Sequence, residues 1–217
     1  MKTSPVRIVA IALLLMSMAG LCAAATVDED IEALQRDWAL ANYNASGEAK
    51  VKAFDELAHR ASMLSAQYPD RAEPLVWEGI VLSTYAGVKG GLGALGLAKQ
   101  ARAKLETAVQ LDAQALNGSA YTSLGTLYYK VPGFPLGFGD HKKAVWYLHK
   151  ALALNPEGID PNFFYADYLF EEGKYAQARE YLERALHAPS RPGRELADDG
   201  RRREINALLE KVKSKLS

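Results

Sequence analysis

Ala144-Val-Trp-Tyr-Leu148-His-Lys-Ala151-Leu-Ala-Leu154-Asn-Pro156 sets small residues at 144 and 151 and large ones at 148 and 154 along one helical face, which Asn155-Pro156 then ends. The same spacing returns upstream as Ala101-x3-Leu105-x2-Ala108-x2-Leu111 and downstream as Ala178-x3-Leu182-x2-Ala185-x2-Ala188. Each copy has an apolar helical segment ahead of it: Leu75 to Leu82 around Gly79, Tyr121 to Tyr128 around Gly125, and Asn162 to Leu169 around Ala166. The repeating unit is helix, turn, helix. From Ala166 to Ala178 the step is 12 residues, from Gly125 to Ala144 it is 19, and from Gly79 to Ala101 it is 22. Two of the three hairpins therefore carry insertions between their helices, which hides the period.

A weaker unit opens this array, with Ile31, Leu34, Trp38 and Ala41 on one helical stripe and Phe54, Leu57, Ala61 and Leu64 on the next. At the other end, Ile205, Leu208, Leu209 and Val212 form one face of a segment from Arg203 to Leu216, which reads as a helix covering the last repeat. No stretch supports a strand of useful length. These repeats resemble the tetratricopeptide repeat, in which small residues let paired helices pack closely and large ones fill the gaps. The fold expected is an all-α, tetratricopeptide-like solenoid over residues 26–217, of about four helical hairpins with apolar inter-helix insertions and a C-terminal capping helix.

Residues 1–25 read as an export signal: Lys2 and Arg7 precede the apolar run Ile8–Met18, and Ala23-Ala24-Ala25 offers small residues for cleavage before the acidic Asp28-Glu29-Asp30. The run is shorter than the roughly 20 residues a membrane-crossing helix needs. A chain starting at Thr26 is expected in the bacterial periplasm, with a membrane tether only if Cys22 carries lipid. Cys22 is the sole cysteine, so a disulfide framework within the chain is excluded. Twenty-six basic and 26 acidic residues leave no net charge over the 217-residue chain, which disfavours a nucleic-acid partner.

The two insertions, Tyr85-Ala-Gly-Val-Lys-Gly-Gly-Leu-Gly-Ala-Leu-Gly-Leu-Ala98 and Tyr128-Tyr-Lys-Val-Pro-Gly-Phe-Pro-Leu-Gly-Phe-Gly-Asp140, together with Arg191-Pro-Gly-Arg-Glu-Leu-Ala-Asp-Asp-Gly-Arg201, are similar to segments of the T component of TRAP transporters. That resemblance implies a periplasmic helper associated with a solute-binding protein and a hydrophobic ligand. A different class of function is a cell-envelope adaptor gripping an extended peptide, and assembly with further copies of the same chain is compatible with either.

Candidate binding residues fall in two groups. Leu92, Leu95, Leu97, Val131, Phe134, Leu136 and Phe138 are unusually apolar for inter-helix connections, and leaving one such side chain in water forfeits roughly 1.5–3 kcal/mol of burial. They either fold back to close the solenoid's edge or form a mouth for an apolar ligand or partner. Counting from Gly125, the inner face carries Thr122, Thr126, Tyr129 and Lys130, and in the last repeat Phe163, Asp167, Phe170 and Glu171. Trp38, Trp77 and Trp146 read as core.

No catalytic constellation stands out, and neither an enzymatic role nor a cofactor is expected. Gly91-Leu-Gly-Ala-Leu-Gly96 satisfies Gly-x-Gly-x-x-Gly, but a dinucleotide site needs a strand before it, and here a helix precedes; an interhelical loop is the reading kept. His59, His141, His149 and His187 are scattered without metal-ligand spacing. Glu171-Glu172, Asp198-Asp199 and Arg201–Arg203 read as solvated faces and local ion pairs.

Overall fold

The computed structural model describes residues 26–217. Among them are α1 (Val27–Tyr43), α2 (Gly47–Gln67), α3 (Ala72–Lys89), α4 (Gly91–Leu111), α5 (Ala115–Lys130), α6 (His141–Leu154), α7 (Ile159–Glu171), α8 (Tyr175–Leu186) and α9 (Glu195–Leu216), with no named strand. The export-signal and Cys22 readings lie outside the described residues. None of the described helices is long and apolar enough to cross a membrane.

The repeat spacing becomes packing in the way the small and large residues require. Ala101, Ala144 and Ala178, Leu105, Leu148 and Leu182, and Ala108, Ala151 and Ala185 are all fully buried, three equivalent trios on α4, α6 and α8. The partner helices present glycine where Leu105 and Leu148 arrive. A Cβ added at Gly79 would lie 2.4 Å from Leu105 Cγ, and one at Gly125 would lie 2.6 Å from Leu148 Cγ. Any side chain at either place would push the hairpin open, so the glycines set the interhelical distance. The opening stripes on α1 and α2 and the stripe on α9 are buried as their periodicity predicts.

Helices pair as α1/α2, α3/α4, α5/α6 and α7/α8, and each pair stacks on the next. The first helices form an inner layer in which α1 touches α3, α3 touches α5, and α5 touches α7. Then α9 turns back to contact α7 on one side and α1 on the other. The odd-numbered helices thus make a closed ring of five, with the even-numbered helices outside. At the junction of the ends, a Cβ on Gly200 of α9 would meet the Tyr43 ring of α1 at 2.4 Å.

The two insertions differ in kind. The first is not a loop: α3 and α4 run to 18 and 21 residues, against 13 and 12 in the last hairpin, and the glycine-rich run forms the first turns of α4. Gly90 and Gly91 adopt positive φ at the turn, a conformation glycine enters without steric cost. Ala98 and Leu97 then pack on the core, which offsets the roughly 0.5–1 kcal/mol each later helical glycine costs relative to alanine. The second insertion is a loop from Val131 to Asp140, closed where Gly139 N–H donates to Pro132 O at 2.9 Å and Asp140 N–H to Tyr128 O at 2.8 Å. Asp140 then caps α6 by accepting from the Lys142 and Lys143 amides.

Candidate functional site

The ring of odd-numbered helices surrounds a cavity of about 1680 Å³, mostly apolar in its lining. That exceeds the roughly 300–1,000 Å³ usual for small-molecule sites and is large enough for an extended chain. Trp38 comes from α1, Trp77 and Ile80 from α3, Thr122, Thr126 and Leu127 from α5, and Phe164 from α7. The first turns of α2 and α4 reach its edge through Val51, Ala94, Leu95 and Ala98. Trp38 is fixed by donating its Nε1–H to Thr84 Oγ1 at 3.1 Å and by an edge contact with Trp77, ring centroids 6.2 Å apart.

The entry of α5 contributes an unusual wall. Leu116 and Asn117, both lining the cavity, have φ of 50° and 54°, and Gly118 follows at 74°. A left-handed turn with two non-glycine residues costs of order 1–3 kcal/mol per residue and persists only where surrounding packing imposes it. Here Leu154 leaves no room at Gly118, with 2.7 Å from its Cδ1 to an added Cβ.

Between α7 and α9 the cavity meets a network of ionised side chains. Asp160, in the first turn of α7, accepts from Arg191 at 2.6 Å and from Arg201 at 2.8 Å, and Arg191 also pairs with Asp198 at 2.6 Å. Arg201 reaches Glu204 as well and lies over the Phe163 and Phe164 rings. Burial by itself would raise the Asp160 carboxyl, but Arg201 and then Arg191 outweigh it and hold the group well below the usual carboxylate range. Arg194 differs: among the described residues its side chain has no hydrogen-bond or ion-pair partner, and it stacks over Trp77 with 5.1 Å to the ring. Burial and then the neighbouring Arg191 lower its pKa below the ordinary guanidinium value.

The structure brings together some of the residues singled out from sequence and separates others. Thr122, Thr126 and Lys130 line the cavity with Leu95, Val131 and Leu136. The two insertions touch, since a Cβ at Gly137 would sit 3.4 Å from Leu95 Cδ1. Leu92 lies in the first turn of α4. Tyr129 is buried and donates to Asp167 at 2.8 Å, while Lys130 pairs with Asp167 at 2.7 Å and with Glu171, so this polar group ties α5 to α7. Burial first, and the Asp167 carboxylate second, push the Tyr129 hydroxyl well above its ordinary value. Phe163 is buried under Arg201, its neighbour Phe164 faces the cavity, and Phe170 packs on Tyr175 at the hairpin turn. Phe138 folds back between Tyr128 and Arg102, whereas Phe134 is 94% exposed and Leu136 75%.

Three readings of the sequence are corrected. Trp146 is 52% exposed, packing edge-on against Tyr121 and Tyr147 outside the core, because α6 turns that face outward. Asp198 and Arg201 are buried where α9 crosses α7, which takes them out of the solvated run expected for them. The glycine run at 91–96 is helical, as described above. The floor formed by Asp160, Arg191, Arg194 and Arg201 was missed. A signal for it exists: Asp198, Arg201, Ile205, Leu208 and Val212 follow one continuous helical stripe, so the buried face of α9 extends back through two charges that must find partners.

Residues 136–191, spanning α6 to α8, match the family model of the tetratricopeptide repeat. Among solved structures, TTC0263, a thermophilic TPR protein in Thermus thermophilus, superimposes with a TM-score of 0.58 at 18% identity, over 88% of this chain and 84% of that one. The MamA protein gives 0.44 at 20% identity, over 86% and 92%. No curated protein matches the sequence. The chain has a tetratricopeptide-like helical solenoid fold.

Proposed function

We propose that the protein binds a long apolar ligand inside its ring and exchanges it with a solute-binding partner, as an exported accessory component of a TRAP-type transport system. One observation carries the reading: an apolar cavity of about 1680 Å³ at the centre of a ring closed by α1 and α9. A peptide-gripping adaptor needs free polar groups along its inner face to meet a partner's backbone. The lining is more apolar than polar, which favours the apolar ligand over the peptide. The T-component reading adds the similarity of both insertions and of the 191–201 segment. Leu136 at the cavity's edge and Phe134 in the same loop, both exposed, supply an apolar contact for the partner from which ligand arrives.

Native mass spectrometry of the protein purified from its own envelope tests this. A single added mass in the range of a lipid-like molecule is the expected result, together with a co-purifying solute-binding protein. A bound peptide in its place would favour the adaptor, and a bare chain would count against both.

A further inference from the structure

On the outside of the ring, the face of α6 turned away from the core is both basic and aromatic. Between His141 and Leu154 this helix carries Lys142, Lys143 and Lys150 and no Asp or Glu. Ala144, Leu148 and Ala151 bury its opposite side. The lysines stand four and three residues before Trp146 and four after it, so all share one outward stripe with it, and all are exposed. Nearby charges are taken up by others, Glu106 by Arg102 and Glu172 by His141, which leaves the three lysines without an ion-pair partner among the described residues. Trp146 is braced edge-on by Tyr121 and Tyr147, with ring centroids 6.3 and 4.9 Å away, and Lys150 lies over it at 5.5 Å.

Independently of what the ring holds, we propose that this face of α6 docks the protein reversibly on an anionic lipid surface. The chain as a whole carries no net charge, so the attraction belongs to this stripe alone. An acidic protein is the other occupant such a charge would fit, but protein interfaces are enriched in arginine and depleted of lysine, and the three unpaired cations of α6 are all lysine. Lysines flanking an exposed, braced tryptophan suit the headgroup level of a bilayer. There the ammonium groups meet lipid phosphates while the indole sits at the apolar boundary.

The test is co-sedimentation of the purified protein with vesicles of phosphatidylglycerol mixed equally with phosphatidylcholine, against vesicles of phosphatidylcholine alone. Three lysines near an anionic surface are expected to favour the anionic vesicles by roughly 100-fold at low salt, a preference that added salt removes. Replacing them together, as Lys142→Glu, Lys143→Glu and Lys150→Glu, is expected to abolish the preference, and Trp146→Ala to weaken binding to anionic vesicles by about tenfold. Should a variant fail to fold, the anionic-to-neutral ratio of the unsubstituted protein decides. Equal sedimentation with both vesicles, or with neither, overturns the proposal, as does a preference that survives loss of the three lysines. Capture by soluble poly-L-glutamate through the same lysines, without sedimentation on anionic vesicles, would also overturn it and give the face to an acidic protein.

Discussion

Gly200 of α9 packs against Tyr43 of α1 so closely that a Cβ at position 200 would lie 2.4 Å from the ring, and this contact between the first and last described helices closes the solenoid. The Tyr43 hydroxyl is buried there without a partner, and burial raises its pKa above the ordinary tyrosine value. A helical glycine with free space around it gains up to about 1 kcal/mol on becoming alanine. At position 200 the sign reverses. Gly200→Ala is expected to destabilise by about 1–3 kcal/mol through overpacking, read as a lower Tm in thermal circular dichroism.

Within the hairpins, Gly125 and Leu148 form a matched pair. Leu148→Ala removes a fully buried side chain and is expected to cost about 2–5 kcal/mol. Gly125→Ala clashes with the native leucine, so combining the two substitutions relieves the clash. Urea denaturation of the four proteins of this cycle should give a double variant more stable than the sum of the singles predicts, by about 1–3 kcal/mol. Strict additivity would mean that the glycine does not set the helix spacing.

Asp160 makes stability depend on acid. Its carboxyl is held below the unfolded value by Arg201 and Arg191 against the opposing effect of burial, so the unfolded chain takes up the proton first as pH falls. The stabilisation is complete above the ordinary carboxylate range and is lost as pH falls through it toward the folded value. Asp160→Asn is expected to lower stability at pH 7, toward the low end of the roughly 3–5 kcal/mol seen when one member of a buried pair is removed, and to flatten the decline between about pH 5 and 2. Chemical denaturation as a function of pH reads both effects.

The second insertion divides into a structural half and an exposed half. Phe138→Ala strips the contact with Tyr128 and Arg102 and should cost up to about 3 kcal/mol, whereas Phe134→Ala should change stability by less than about 0.5 kcal/mol. Thermal melts of the two variants check the contrast. An equal loss from both would place Phe134 in the fold and remove it from the partner-facing surface.

Much of this architecture was legible in the residues because helix pairing in these repeats is a local matter. Ala101, Leu105 and Ala108 announce their burial by spacing alone, and the same holds for the trios at 144 and 178. What the spacing did not carry was closure. Gly200 looks like any helical glycine until Tyr43 arrives from the far end of the array, and Asp160, Arg191 and Arg201 meet only because α9 turns back across α7. The run from Gly91 to Gly96 misled for a different reason. Glycine weakens a helix by an amount that packing at Leu97 and Ala98 can offset, and propensity read without that packing favours a loop. Of the candidate site, the α5 face through Thr122, Thr126 and Lys130 was readable. Trp38 and Trp77 read as core and are buried there, but that they also line the cavity, and that Arg194 reaches it, depends on which helices share the ring.

Ligand binding in this protein requires an open apolar space inside that ring, and Gly87 gives a direct handle on it. Gly87 lines the cavity, and a Cβ there meets no atom within 4 Å, so Gly87→Trp can narrow the space without displacing the backbone. Fluorescence titration of N-phenyl-1-naphthylamine is the measurement. A saturable enhancement in the unsubstituted protein, weakened in Gly87→Trp with the helical circular dichroism unchanged, is the predicted result; a flat titration of the unsubstituted protein would contradict it.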